Sequence, residues 1–142
     1  MALPAFRHTH RVTYAECTSG NHVYYARYLD LLEAARGEFF RELGSTLLQW
    51  QEQDTIFPVI ACRLDYQTPA RYDDVLNIEV WPTKAERARL NFSHVIMNQS
   101  GKRVCQAETF HVCTALNEKP KRLPEALVAK LSPYLQRLET AP

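Results

Sequence analysis

The sequence of 142 residues holds no apolar run near the ~20 residues needed to cross a bilayer. Its opening stretch, MALPAFRHTH, lacks the apolar centre of a secretion signal. Both absences point to the cytoplasm and to a protein without a membrane span. An excess of charge is missing too: 17 basic residues face 16 acidic ones, for a net charge of +1. Such balance leaves no electrostatic footprint for general nucleic-acid binding. Glycine is scarce, with 4 residues, whereas 46% of the chain is apolar, so an ordered globular domain is expected. The four cysteines, Cys17, Cys62, Cys105 and Cys113, include no Cys-x-x-Cys pair. In the cytoplasm they read as reduced, mostly buried thiols, which leaves neither a disulfide framework nor a metal centre. Repeats, low-complexity tracts and linkers are lacking as well, so residues 1–142 read as one domain.

What is present is a strand, a helix and a set of longer strands. Residues 6–14, FRHTHRVTY, alternate and are rich in β-formers. The chain breaks at Ser19-Gly20-Asn21, and from Val23 the period changes. Tyr28, Leu32, Ala35, Phe39 and Leu43, widened by Leu31, make one apolar helix face that ends at Gly44. A short helical piece, TLLQWQEQ, follows from Thr46. Four β-like runs then occupy residues 55–70, 74–87, 88–99 and 102–117. Their turns fall at Tyr72-Asp73-Asp74, between Lys84 and Arg87, and at Gln99-Ser100-Gly101-Lys102. Short turns between successive strands predict a four-strand antiparallel meander. Pro124 opens a last helix over 124–138, with Leu127, Leu131 and Leu135 on one side. The expected class is α+β, an antiparallel sheet wrapped around one long helix. One side of that sheet would still need a cover, which predicts a homodimer or homotetramer.

This pattern resembles the hotdog-fold thioesterases, in the branch of 4-hydroxybenzoyl-CoA thioesterase and the Tol-Pal-associated acyl-CoA thioesterases. The matching residues are Arg11-Val12, Tyr14, Gly20, Val23-Tyr24, Ala26, Tyr28-Leu29, Glu33, Ala35 and Arg36. Tyr72-Asp73-Asp74-x-Leu76 and Pro120-x-x-x-Pro124 continue the match. The resemblance implies a single hotdog domain that hydrolyses an acyl-CoA to free acid and CoA without a cofactor. It also implies a site at the turn before the helix. Family members carry a catalytic Asp at the second acidic place of that turn, which is Thr18 here. The first acidic place is Glu16, His22 stands at the position of the family's His, and the Tyr25 backbone N–H would polarise the thioester carbonyl.

A helix N-terminus suits that last role on physical grounds, because it offers unpaired N–H donors and the positive end of a dipole. Threonine, however, is no general base. Three readings stay open. Glu16, two residues before Thr18 and on the same face of an extended segment, acts as base or nucleophile. Alternatively, His22 activates water. The third is a carboxylate-free mechanism, as in hotdog thioesterases of enediyne biosynthesis that resemble this turn. Glu16 read structurally is a capping acid, and His22 an anchor of the turn. Glu33 reads as the partner of an arginine, Arg36 or one from a partner chain, with a catalytic role as its other reading, and Asp74 as the brace of its turn. His94 and His111 read as satisfied sheet residues, and Cys17 has no basic neighbour to activate it.

Near the end, LNEKPKRLP places Lys119, Lys121 and Arg122 in one loop. By charge alone this is a solvated basic loop; with the resemblance it becomes a contact for the phosphates of CoA. A non-catalytic acyl-CoA or acyl-carrier-protein binding module, or a hydrolase releasing a carrier-bound polyketide chain, are the other functions the residues fit.

Overall fold

The computed structural model describes residues 4–136. Strand β1 (Phe6–Arg11) leads through a single 3-10 turn (Tyr14–Glu16) to a two-residue ladder of β2 (Cys17–Thr18) and β3 (His22–Val23). Helix α1 (Arg27–Glu42) follows, then α2 (Leu47–Glu52), β4 (Val59–Tyr66), β5 (Val75–Glu86), β6 (Arg89–Met97) and β7 (Arg103–Val112). Helix α3 (Glu125–Leu131) and a 3-10 turn (Ser132–Tyr134) end the described chain.

The sequence accounts for most boundaries. Gly44, at φ +102°, sits just beyond α1 in the left-handed region that ends helices. The Thr46 hydroxyl caps α2 by accepting the Gln49 N–H at 3.2 Å, and Gln49 Oε1 accepts the Thr46 N–H at 2.8 Å. Asn98 Oδ1 accepts the Ser100 and Lys102 N–H groups, while Gly101 takes φ +78°, and this closes the β6–β7 hairpin. Helix α1 starts at Arg27 rather than Val23, because His22 and Val23 are held extended in the β2–β3 ladder, and the Val23 and Tyr24 N–H groups bond the Ala70 and Glu16 carbonyls. Strand β5 runs through Glu86, and the turn shrinks to Arg87-Ala88 with Arg87 at φ +55°. The last helix stops at Leu131 and gives way to the 3-10 turn that contains Pro133, which supplies no N–H. Leu135 follows that turn, and positions 137 and 138 of the expected helix lie outside the described residues.

The five-stranded sheet has the order β1-β5-β6-β7-β4, and every neighbouring pair is antiparallel. This corrects the four-strand meander. Only β5, β6 and β7 form one; β4 crosses to the far edge and pairs with β7, with Tyr66 opposite Cys105. The connector explains it. Residues 67–74 do turn at Arg71–Asp74, but their hydrogen bonds to Val104, Val12 and Val23 carry the chain away from β4 instead of folding β5 back against it.

Alternation puts Leu76, Ile78, Val80, Leu90, Phe92 and Ile96 on the face that meets α1, and all six are almost wholly buried. Helix α1 answers with Leu32, Ala35 and Phe39. Phe39 stacks on Phe6 at 5.4 Å between centroids and meets Tyr134 edge-on at 4.9 Å. Burial of each such ring is worth about 1.5–3 kcal/mol. At the sheet's far edge, β4 remains exposed on both faces, with Val59 and Ile60 each half exposed.

Two histidines share the inner face, and they differ. His111 is satisfied: its Nδ1 lies 3.0 Å from the Phe57 carbonyl and its Nε2 3.0 Å from Thr109 Oγ1. His94 is less so: among the described residues neither ring nitrogen has a partner in good hydrogen-bond geometry, and the Ala107 backbone only partly favours its charged form. Burial, reinforced by the Arg36 charge, pushes His94 down to about 3 and His111 to about 4. Below the ordinary histidine range the unfolded chain therefore binds protons that the folded one refuses. Stability is complete above pH ~6.5, and falls as the pH drops towards 4 and then 3. The expected slope is about 1.4 kcal/mol per pH unit for each histidine. Urea unfolding at a series of pH values measures it, and His94→Leu should flatten the curve.

Candidate active site

The turn that joins β1 to α1 is fixed from both sides. Gly20 and Asn21 take φ +79° and +60° to close the β2–β3 ladder, in which Thr18 lies opposite His22. The Arg71 guanidinium donates to the Gly20 carbonyl at 3.3 Å, and the Tyr72 N–H donates to Asn21 Oδ1 at 3.1 Å. Behind them Asp74 braces its own turn, as the sequence predicts, accepting the Arg71 N–H at 2.9 Å and the Gln99 amide at 3.0 Å.

Glu16 is part of this brace. Its carboxylate accepts the Thr13 N–H at 2.7 Å and the Thr13 hydroxyl at 3.0 Å, and lies 2.8 Å from His10 Nε2. Burial raises its pKa, but the hydrogen bonds from Thr13 and His10 outweigh that and leave it below the ordinary glutamate value. The expected same-face relation of Glu16 and Thr18 does not hold. Residues 14–16 curl into a 3-10 turn instead of running extended, so the alternation argument fails there. Cys17 stays a thiol: burial raises its pKa, and the charges of Glu16 and Asp74 raise it further.

His22 and Tyr25 face a different space. With Val23, Tyr28, Tyr66 and residues 67–69 they line a cleft of about 340 Å³ at the start of α1. The Arg27 and Leu29 N–H groups donate to the Tyr24 and Ala26 carbonyls, and among the described residues no acceptor meets the Tyr25 N–H. Tyr66 Oη donates to the Tyr25 carbonyl at 2.9 Å, and its ring packs edge-on against Tyr28 at 5.2 Å. Peptide planarity carries that constraint into the next N–H, so Tyr66 sets the direction of the helix entrance. Sequence reasoning missed Tyr66, whose only signal is an aromatic at the end of a strand. Thr18 borders a neighbouring cleft of about 540 Å³ with Tyr14, Cys17 and Tyr72.

The basic loop lies elsewhere. Cys105, opposite Tyr66, is seven residues from Val112, where the loop begins, so the two ends of the sheet are roughly 23 Å apart. Lys121 is engaged there, its Nζ donating to the Asp54 carbonyl at 3.1 Å and to Thr55 Oγ1 at 3.2 Å. Lys119 is exposed, and Arg122 lines a cleft of about 620 Å³ with Glu86, Arg87 and Glu125. The chain thus brings His22 and Tyr25 to one cleft, leaves Thr18 beside His22 but on the neighbouring cleft, and holds Lys119, Lys121 and Arg122 apart from them. Glu33 favours the Arg36 charge without forming an ion pair: it is exposed, and Arg36 is buried with Nη1 lacking a hydrogen-bond partner among the described residues.

Known proteins are similar to this chain. An acyl-CoA thioester hydrolase, YbgC, of Escherichia coli O6:H1 is 32% identical over 126 residues, covering 88% of this chain and 94% of that protein. A 1,4-dihydroxy-2-naphthoyl-CoA hydrolase of Thermosynechococcus vestitus is 25% identical over 122 residues, 84% of each chain. A hypothetical protein of Aquifex aeolicus with a crystal structure superposes with a TM-score of 0.84 at 25% identity, covering 89% of this chain and 98% of that one. The profile of the thioesterase-like superfamily spans residues 12–131, from the end of β1 to the end of α3. With four of the five strands of the hotdog sheet, its central helix and the turn before that helix inside the span, the chain belongs to the thioesterase-like superfamily.

Proposed function

We propose that the protein hydrolyses acyl-CoA thioesters to free acid and CoA, in the branch that holds the Tol-Pal-associated enzymes. The observation that carries the reading is that Tyr25, whose N–H meets no acceptor among the described residues, stands at the head of α1 and lines the same cleft as His22. The thioester oxygen accepts from that N–H and gains charge as the carbonyl is attacked, which a helix N-terminus stabilises. His22 takes a proton from water while the hydroxyl adds to the carbonyl carbon. Collapse of the adduct breaks the C–S bond, and the thiolate of CoA takes up the proton. Glu16, with its carboxylate tied to Thr13 and His10, holds the turn instead of moving protons. Thr18, opposite His22, stands where a carboxylate would otherwise share the work.

The variants separate these roles. His22→Gln should lower kcat by ~10²–10⁴-fold with folding retained, the usual cost of losing a general base. Glu16→Gln should keep kcat near wild type and lower the melting temperature. Thr18→Asp should raise kcat. Release of free thiol from a panel of acyl-CoAs reads all three. Loss of activity in a folded Glu16→Gln returns the base to Glu16. Wild type that releases no thiol, with a gain in Thr18→Asp, marks a binding module instead.

Assembly belongs to the same proposal. Among the described residues β4 has no strand on its outer side, and Val59, Ile60 and Tyr66 are half exposed along it. Two copies joined edge to edge through β4 about a two-fold axis run antiparallel there. The Val59 end of one copy then meets the Tyr66 end of the other. The basic loop of one subunit thus approaches the Tyr25 cleft of its partner. Light scattering at micromolar concentration should give a dimer or tetramer, and a stable monomer removes the shared site.

CoA would be held by that loop. Lys119→Ala with Arg122→Ala, leaving Lys121 on Asp54 and Thr55, should raise KM for acyl-CoA more than it lowers kcat, since such contacts act on ground and transition states alike. The effect should shrink with added salt, because exposed charges are screened. An unchanged KM at low salt makes the loop a bystander.

A further inference from the structure

Beyond the cleft at Tyr25, one cavity is lined by a buried cation that forms no ion pair among the described residues. It measures about 220 Å³ and lies between α1, α2 and the start of β4. Phe40, Leu47, Phe57, Val59 and Phe92 give it apolar walls. Arg36 lines it at 9% exposure, and its Nη1 is buried without a hydrogen-bond partner. Guanidinium stays protonated in proteins, so this is a buried cation. Leaving one unpaired is costly, and a neighbouring anion relieves the cost. Among the described residues no carboxylate forms an ion pair with it. Glu33, exposed and itself part of the lining, favours the Arg36 charge only from a distance. His111, also in the lining, has both nitrogens engaged by Phe57 and Thr109.

The chemistry of the lining selects the ligand. Only the guanidinium offers free donors, and its planar fork matches a carboxylate. Apolar walls on the other sides suit a hydrocarbon body, and the small volume excludes the nucleotide of CoA. Resting on the thioesterase reading above, we infer that the cavity is a carboxylate subsite, where Arg36 takes the far-end carboxylate of a dicarboxylic acyl group. In one chain Arg36 stands three turns beyond Tyr25 along α1, about 16 Å away. With β4 edges paired as proposed, the cavity of one copy opens towards the Tyr25 cleft of the other.

The test compares mono-CoA thioesters of dicarboxylic acids, from glutaryl to sebacoyl, each against its methyl-ended partner of equal length. At one or more lengths the wild type should prefer the carboxylate-ended substrate by about tenfold or more in kcat/KM, the value of one charged contact. Arg36→Met should abolish or invert that preference while still hydrolysing methyl-ended substrates, and Arg36→Lys should restore part of it. Free dicarboxylic acids should also raise the melting temperature of wild type and not of Arg36→Met. This readout needs no hydrolysis, and it stands if the thioesterase reading fails through absence of thiol release. Equal rates for the two series, or a preference that survives Arg36→Met, overturns the subsite. So does dissociation of the dimer in both Arg36→Met and Glu33→Gln without any ligand preference, which would assign the missing charge to a second copy. Should Arg36→Met not fold, the substrate preference and thermal shift of wild type and Arg36→Lys decide the matter.

Discussion

Everything in this fold depends on one helix being surrounded. Helix α1 carries its apolar stripe on more than one side, from Tyr28 through Leu32 and Ala35 to Phe39 and Phe40. No flat layer can bury so wide a stripe, and a strongly twisted sheet can. The central β5 and β6 supply the floor, while Phe6 from β1 and Tyr134 from the end of the chain close over Phe39. Because the helix is held along its length, its first peptide groups occupy a fixed place. That rigidity lets a backbone N–H act as a chemical group, since a donor that wandered would have to be ordered anew at each turnover.

The helix also explains why polar groups are found in the core. Arg36, His94 and His111 all lie beneath or beside it, in a region otherwise built of phenylalanine and aliphatic side chains. His111 is tied by two hydrogen bonds and contributes to order there. His94 and Arg36 have unpaired nitrogens, and the local cost of that is a departure from consistency of the kind that accompanies functional regions. The two ends of α1 thus differ in character. The N-terminal end offers uncharged donors, and the C-terminal half holds a formal positive charge.

Much of this was legible before any coordinates. The period change at Val23, the stop at Gly44, the Thr46 cap and the Asn98–Gly101 hairpin are local signals, decided by a few neighbouring residues. Strand order was not legible. Whether β4 pairs with β5 or β7 depends on what residues 67–74 bind, and those bonds reach Val12, Val23 and Val104, far away in sequence. The site divides in the same way. His22 and Tyr25 could be placed because they flank a recognisable turn. Glu16 could not, because a single turn of 3-10 helix redirected it. Tyr66 and the burial of His94 carry no local mark, and the burial of Arg36, itself part of the helix motif, emerges only from packing between distant elements.

The strand order has a consequence for how the chain reaches this state. β1 finds its partner in β5, and β4 finds its partner only in β7. While the first seventy or so residues leave the ribosome, neither of the two long strands among them has anything to pair with, and α1 has no floor to lie on. Native sheet formation therefore waits for β5, and the outer strand waits until β7 has been made. Domains dominated by such distant pairings fold slowly for their size. The half-made chain meanwhile exposes β4 together with the stripe of α1, the kind of surface that folding helpers hold until synthesis is complete.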